Sequence, residues 1–583
     1  MTADTTHPTT AHPSETPTAA VPDSPQGSQR STTVIVGGVA GGMSTAARLR
    51  RRDEHMEIIV FEASEHVSFA NCGLPYYISG TINNRDSLLL QTPASLKARL
   101  NLDVFVSHRV TAIDRQHKTV TVLNQVTGQE HTQGYDFLVL SPGAVPIMPP
   151  IPGIERAQTL RTVEDVDVIA ATVRAEGVSS AAIIGGGFIG VEMAENLHQM
   201  GIATTIIERA PQILGPLDEE MAILVHERLT DAGVQVVTGA ETQRITDSAV
   251  DLMRDNGEQL TIAADVVIAA IGVRPASELA REAGLEVGAR GGIKVDRNQR
   301  TSDPAIFALG DAAEKVDAIS GEESLVPLAQ TANRHGRMVA DIITGRAQQA
   351  QLTLGTAIVG VLGLAAGTVG WNERRARAAG KNIRVIQIHP VNHAGYYPGA
   401  SQLHLKLIVD ADTDAILGAQ AVGEQGVDKR IDVIATAMRA GMKAAELADL
   451  ELAYAPQFGS AKDPINFLGF VDDNALGGEK LIQWHELEAA VADPDTVLID
   501  VRSAGEHARG AIPQAMNVNV DQMRQWLDDG GLEQLAGKRV IVHCQVGLRG
   551  HVAARLLAGY GIAAANLTGG YVTWSAGQRA RSL

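Results

Sequence analysis

This sequence predicts a multidomain α/β protein with doubly wound parallel sheets, and three observations carry the prediction. A strand, a glycine turn, a helix and a second strand follow one another over residues 33–62, and the same order returns over 181–208. Much of the remaining chain alternates short apolar runs with helical ones instead of grouping strands apart from helices. With 583 residues, there is room for roughly three to five domains, each able to bury its own core.

Composition removes several classes. The 2 cysteines cannot staple a chain of this length or supply a Cys-rich zinc or iron–sulfur site. Each is therefore read as a reactive thiol or a core filler, no metal is expected, and the reducing cytoplasm is the expected location. A net charge of −18 disfavours nucleic acid and membrane as partners, since both select basic surfaces. The 58 glycines exceed the usual share of about 7% without low complexity, and ligand-binding turns are where such an excess belongs. No apolar run reaches the roughly 18 residues that span a bilayer, and the first residues lack a charged segment followed by an apolar core.

Residues 1–30 are rich in Thr, Pro, Ser and Ala with no hydrophobic period, the composition of a disordered tail. The first unit then reads as the strand Thr33–Val36, the turn Gly37, Gly38, Val39, Ala40, Gly41, Gly42, a helix over Met43–Arg52, and the strand Ile58–Phe61 closed by Glu62. The second unit reads as the strand Ala181–Ile184, the turn Gly185, Gly186, Gly187, Phe188, Ile189, Gly190, a helix from Val191 to about Met200, and the strand Thr204–Ile207 closed by Glu208. Each unit fits a dinucleotide. The glycines allow a tight turn and close approach, the helix N-terminus attracts a pyrophosphate, and the acid about 20 residues on accepts from a ribose. The first copy departs from the usual glycine spacing because Val39 holds the middle position. Glu208 favours NADH by repelling a 2′-phosphate, while the adjacent Arg209 leaves NADPH open.

Further along, Thr301–Asp311 forms an apolar run ending in Gly310-Asp311, and Ser141, Pro142 and Gly143 form a turn after a strand-like run. Both segments are similar to those of two-dinucleotide-binding-domain flavoproteins. That resemblance assigns FAD to the first unit, with Asp311 reaching its ribityl chain and Ala329 nearby, and NAD(P)H to the second, with Gly272. It implies a discontinuous FAD domain over 31–150 and 265–347 and a nicotinamide domain over 151–264. It also implies an α+β dimerisation domain over 348–470, where Leu403–Val409 and Ala415–Val422 read as strands and Ile431–Ala440 as a helix. A linker over 471–480 leads to a last domain over 481–583, with strands expected at Thr496–Asp500, Ala515–Val520, Arg539–His543 and Ala563–Leu567.

The two cysteines head separate motifs. Cys72 lies in Ser68-Phe-Ala-Asn-Cys-Gly-Leu-Pro-Tyr76, which resembles the active-site segment of coenzyme A-disulfide reductases and their polysulfide-reductase and NADH-oxidase relatives, over about residues 32–470. No second thiol is nearby, so the oxidised form is a mixed disulfide, a sulfenic acid or a persulfide. A flavin and a helix start beside Cys72 are expected to lower its pKa. The resemblance implies that Ser68 and Asn71 contact the thiol substrate, and that Arg48 and Arg51 on the first helix meet a coenzyme A phosphate. It further implies a homodimer in which Tyr454, or Tyr396 and Tyr397, reach the substrate from the partner subunit and donate a proton.

Cys544 lies in His543-Cys-Gln-Val-Gly-Leu-Arg549 between a strand and a helix, a loop whose N–H groups form an anion nest for thiolate or persulfide. Together with Leu498-Ile-Asp-Val-Arg-Ser-Ala-Gly-Glu-His507, Gly510-Ala-Ile-Pro513 and Ala515-Met-Asn-Val518 upstream, it resembles the rhodanese active site, with Cys544 and Arg549 catalytic. A cysteine-phosphatase loop carries one more residue between Cys and Arg. The expected activity is NAD(P)H-dependent reduction of coenzyme A persulfide, polysulfide or coenzyme A disulfide. The alternatives are an oxygen-reducing NADH oxidase and a flavin-binding redox sensor without turnover.

Overall fold

The computed structural model describes residues 30–583; apart from Arg30, the tail expected over 1–30 lies outside them. Two parallel sheets carry the repeated units. In the first, Thr32–Val36 lies between Phe137–Leu140 and Glu57–Phe61, with Ile306–Ala308 and Asp103–Phe105 at the edges. In the second, Ser180–Ile184 lies between Ala203–Ile207 and Val266–Ala269, with Gln235–Val237 outermost. The central strands are apolar and buried on both faces, as parallel sheets covered by helices require.

The last strand of the second sheet corrects the expected domain boundary. Val266–Ala269 pairs in parallel with Ala181–Ile184 and so belongs to the nicotinamide unit, not to a segment beginning at 265. The two crossovers are marked instead by antiparallel pairing of Ala144–Pro146 with Val273–Pro275.

The two helices that follow the glycine turns span Ala40–Arg52 and Phe188–Gln199. Each starts earlier than expected, because the glycine-rich residues read as turn already have helical backbone. The long helix Ala329–Ile343 crosses the first of them at Gly336, where a Cβ would stand 2.4 Å from the Gly41 carbonyl oxygen.

The third domain is an antiparallel sheet ordered Ala357–Val361, Leu364–Gly370, Ile416–Gly423, Leu403–Asp410, Ile383–Ile388. The helix Val427–Ala440 buries Val427, Ile431 and Ile434 in the core that this sheet shares. Most of the expected linker is absent as such: residues 471–476 continue the helix Pro464–Leu476, and Lys480–Ile482 is already a strand. That strand opens a parallel sheet ordered Lys480–Ile482, Ala564–Leu567, Arg539–His543, Thr496–Asp500, Met516–Asn517. The strand expected over Ala515–Val520 is reduced to two residues. The Asn517 amide turns back to the carbonyls of Asp500 and Arg502, and the Asn519 side chain caps the next turn.

Three domains meet at one buried ammonium. Lys406 Nζ, on the antiparallel sheet, lies 2.9 Å from Asp218, 2.5 Å from Glu220 and 2.7 Å from Glu373. Asp218 and Glu220 come from the nicotinamide domain, and His485 of the last domain reaches Glu373 at 3.0 Å. The carboxylate trio is thus closed on a lysine and has no vacancy for a metal.

Candidate active site

Both glycine turns have the shape a dinucleotide demands. Gly37 and Gly185 adopt φ of +98° and +110°, and a Cβ there would stand 2.1 Å from the Ser141 oxygen and 2.3 Å from the Ala270 oxygen. Neither following helix carries a side-chain N-cap or an acid in its first turn. Their leading N–H groups and positive dipole ends are therefore free for a phosphate. A Cβ on Gly187 would meet nothing within 4 Å, which leaves a cradle for a pyrophosphate; Val39 takes that place in the first turn. Glu62 and Glu208 each brace their turn, accepting from Gly38 N at 2.6 Å and Gly186 N at 2.7 Å.

Around the first turn, Ser141 N donates to Val36 O at 2.8 Å, Gly143 has φ of +75°, and the Gly310 turn presents Asp311, which lies 3.7 Å from Arg161. Buried Lys315, not foreseen from the sequence, donates to the carbonyls of Gly310 and Ala313 and fixes that turn. Burial pushes its ammonium down to about 8. Around the second turn, Ile189, which follows Gly187-Phe188, and Ile271, which precedes Gly272, stay exposed.

Cys72 sits in the short turn Asn71–Gly73 ahead of the helix Leu74–Ile78. That helix is fastened to the nicotinamide domain: Tyr76 Oη donates to Glu192 at 3.4 Å and Ser79 Oγ to Asn196 at 2.6 Å. The thiol thus stands where the two grooves meet. It reaches solvent, yet burial pushes its pKa up, and the carboxylates of Glu192 and Asp311 push the same way. Of the two groups expected to lower this pKa, a flavin and a helix start, the helix start does not outweigh these effects. A helix of five residues is a weak dipole, and the charges nearest the sulfur are acids. Burial, then Glu192, also pushes Tyr76 up to about 12.

The other expected substrate residues divide. Asn71 is exposed next to Cys72, and Ser68 holds a left-handed backbone, φ +51°, with its N–H on Gly38 O. Arg51 is exposed on the first helix. Arg48 departs from the expectation: its guanidinium is committed to Asp341 at 2.8 Å, tying the first helix to Ala329–Ile343, whose first residue is Ala329. Asp341 also faces Arg52 and Arg346, so that arginine cluster is internally compensated.

On the antiparallel domain, Tyr396 and Tyr454 share a hydrogen bond between hydroxyls at 2.9 Å and both remain exposed. The bond to Tyr454 raises the Tyr396 pKa. Tyr397 packs edge-on against His393 and lies outside that pair.

Cys544 ends the strand Arg539–His543, and its Sγ accepts from Gly547 N at 3.1 Å. Gly547 has φ of +102° and leads into the helix Leu548–Gly559, which again lacks a side-chain cap. The sulfur is fully buried under the loop. Arg549 forms a bidentate pair with Glu506 at 2.8 and 2.6 Å. Glu506 raises the arginine's pKa against the effect of burial, with Cys544 adding to the rise. Behind the loop, buried Asp500 accepts from Arg502 and stands 2.8 Å from His507, while Arg502 donates to Gln545 at 3.0 Å and stacks on Tyr571. Asp500, Arg502, Glu506 and His507 all lie in the upstream segment that resembles rhodanese, but the sequence did not show that Glu506 pairs with Arg549 or that the others brace the loop.

Comparison with known proteins decides the family. Residues 31–336 match the model described as pyridine nucleotide-disulphide oxidoreductase, residues 356–463 its dimerisation domain and residues 483–577 the rhodanese-like domain. The chain belongs to the pyridine nucleotide-disulphide oxidoreductases. A curated relative from Staphylococcus haemolyticus named coenzyme A disulfide reductase is 32% identical over 75% of this chain and 98% of its own length. Among solved structures, reduced CoADR-RHD of Bacillus anthracis is 44% identical with a TM-score of 0.91, covering 95% of this chain and 99% of that one. An NAD-dependent persulfide reductase from A. fulgidus is 37% identical with a TM-score of 0.85, covering 93% and 100%. The oxidoreductase fold, its dimerisation domain and the fused rhodanese domain are thereby established, and the family's FAD and nicotinamide nucleotide fit the two glycine grooves. Among the described residues, no helix is long and apolar enough to cross a membrane.

Proposed function

We propose that this oxidoreductase reduces coenzyme A persulfide, with polysulfide and coenzyme A disulfide as related substrates, at Cys72, and that Cys544 carries sulfane sulfur for it. The single observation that carries this reading is one exposed thiol at the junction of both nucleotide grooves, in a chain whose only other cysteine heads an anion loop. The overall change is CoA-SSH + NADH + H⁺ → CoA-SH + H₂S + NAD⁺. When bound, FAD relays the two electrons from nicotinamide to sulfur.

The chain's own residues do the rest. Gly187 and the uncapped helix start hold the nicotinamide nucleotide, Glu208 favours its unphosphorylated ribose, and Gly37–Gly42 with Glu62 and Asp311 hold FAD. Cys72 takes the outer sulfur of the persulfide, releasing coenzyme A thiol, and is then reduced back with release of sulfide. Asn71, Ser68 and Arg51 face the substrate. The Tyr396–Tyr454 pair, delivered by the partner subunit of a cytoplasmic homodimer, donates a proton to the departing thiolate. Cys544, with Gly547 N–H and Arg549 around it, accepts sulfur from a donor and passes it to coenzyme A.

Sulfide release and oxygen uptake, followed together in purified protein supplied with NADH and coenzyme A persulfide, test this. Cys72→Ser is expected to abolish sulfide release. Cys544→Ser is expected to remove sulfur transfer from thiosulfate while leaving reduction of coenzyme A disulfide. Undiminished persulfide turnover in Cys72→Ser overturns the reading, and oxygen uptake without sulfide release replaces it with an oxidase.

A further inference from the structure

A cavity of about 320 Å³ lies between the nicotinamide domain and the end of the rhodanese domain, within the size range of small-molecule sites. Its position is informative. The strands Ala203–Ile207 and Gln235–Val237 run side by side, and beyond their carboxyl ends the chains stay paired: Glu208 N donates to Val237 O and Gly239 N to Ala210 O. Pro211, Ile213, Thr238 and Gly239, immediately past those ends, line the cavity. In open parallel sheets a dinucleotide lies outside the carboxyl ends of the strands, centred on the switch point, here between Ser180–Ile184 and Val266–Ala269. The cavity lies beyond the ends of the two strands on the Glu208 side of that point. Glu208 already marks this side as the ribose side, and Leu214 N bonds to Gly186 O of the fingerprint itself.

The opposite wall comes from a different domain. The last helix, Gly570–Arg581, packs on the helix Glu219–Asp231, and Arg579 pairs with Glu227. This brings Ala580, Arg581 and Leu583 onto the cavity. Arg581 is held over the Trp484 ring at 4.5 Å and lies 3.6 Å from Glu219, so its position is set from both domains. His226, buried beneath, has its Nδ1 without a partner among the described residues.

We propose that residues 580–583 of the rhodanese domain form one wall of the pocket for the adenosine end of the nicotinamide nucleotide, so that the fused domain completes the reductase's cofactor site. The inference rests on the nicotinamide reading of the second groove. It gives the fusion a role apart from sulfur transfer: docking of the rhodanese domain and affinity for the nucleotide become linked.

Calorimetric titration of the flavin-loaded full chain with ADP-ribose, which carries the adenosine and pyrophosphate but no nicotinamide, tests it. Deletion of residues 580–583 opens the wall, and Ala580→Trp, at a half-buried position in the last helical turn, fills the cavity. Each is expected to weaken ADP-ribose about tenfold, the effect of leaving about 50–60 Å² of apolar ligand surface in water or excluding it, with a cooperative thermal melt retained as the folding control. Equal ADP-ribose affinity in either folded variant overturns this inference alone. Weakened binding of coenzyme A, which shares the adenosine diphosphate, with ADP-ribose unaffected also overturns it. No ADP-ribose binding by the unaltered chain defeats the nicotinamide reading itself.

Discussion

Replacing Lys406 by Met tests whether the buried ammonium holds three domains together. Lys406, Glu220, Glu373 and Asp218 are all buried, and the ammonium lies within 2.9 Å of each of the three carboxylates. Burial opposes its charge, but Glu220, Asp218 and Glu373 more than offset that and raise its pKa. Burial likewise opposes the charge on Glu373, yet His485, Lys406 and Arg377 hold that carboxyl well below the usual range. Removing one partner of a buried ionic group typically costs about 3–5 kcal/mol, because the remaining charges stay desolvated. Lys406→Met is therefore expected to lose about 3–5 kcal/mol, seen as an earlier unfolding transition in urea at neutral pH. The pH dependence has a definite sign. Burial already raises the Glu220 carboxyl, and Lys406 is the charge that opposes this rise; without the lysine it stands further above its unfolded value. The penalty of that buried charge is full at neutral pH and shrinks as the pH falls and Glu220 takes up a proton. A variant as stable as the parent at neutral pH, or one whose deficit grows on acidification, refutes the reasoning.

Three further predictions follow from the sites. Gly187→Ala should fold normally, since its Cβ meets open space, yet weaken NADH binding by filling the phosphate cradle; Gly190→Ala, whose Cβ would stand 1.9 Å from the Gly185 oxygen, should instead destabilise the domain in a thermal melt. Glu192→Gln removes a carboxylate that raises the Cys72 thiol, so the pH profile of Cys72 alkylation by iodoacetamide should move to lower pH; an unmoved profile refutes the assignment. Glu506→Gln takes away the bidentate partner of Arg549 and should cut thiosulfate sulfur transfer at least tenfold, a charge-assisted pair being the stronger kind of hydrogen bond, while flavin reduction by NADH stays unchanged.

What the sequence revealed was local. The two glycine turns, the acids that close them and the Cys544 loop are each written in a contiguous stretch, so spacing alone placed them. Helix starts were missed by three residues at Ala40 and Phe188 because glycine signals a turn whether or not its backbone is helical. Three strands of the antiparallel domain, Ala357–Val361, Leu364–Gly370 and Ile383–Ile388, went unassigned, being interrupted by glycine or short enough to read as helix or strand. The boundary at 264 failed because a strand's membership is fixed by its pairing partner, which for Val266–Ala269 is 85 residues upstream. Arg48 looked like a phosphate ligand only while Asp341, far along the chain, was not beside it.

The charges around Cys72 bear on how a single thiol is managed between turnovers. With no second cysteine nearby, a thiolate at this position has no internal partner and would be open to oxidation, since the thiolate is the reactive form. Burial, Glu192 and Asp311 all favour the protonated thiol in the protein alone, and Glu192 is held by Tyr76 on the same helix that carries the cysteine turn. Reactivity must then come from whatever enters the grooves and outweighs these carboxylates. Because Glu192 stands on the nicotinamide-domain helix and Asp311 in the flavin-side turn, each groove contributes one of the two acids. The thiol is thereby exposed to both grooves at once, and an acid on either side sets how readily it ionises.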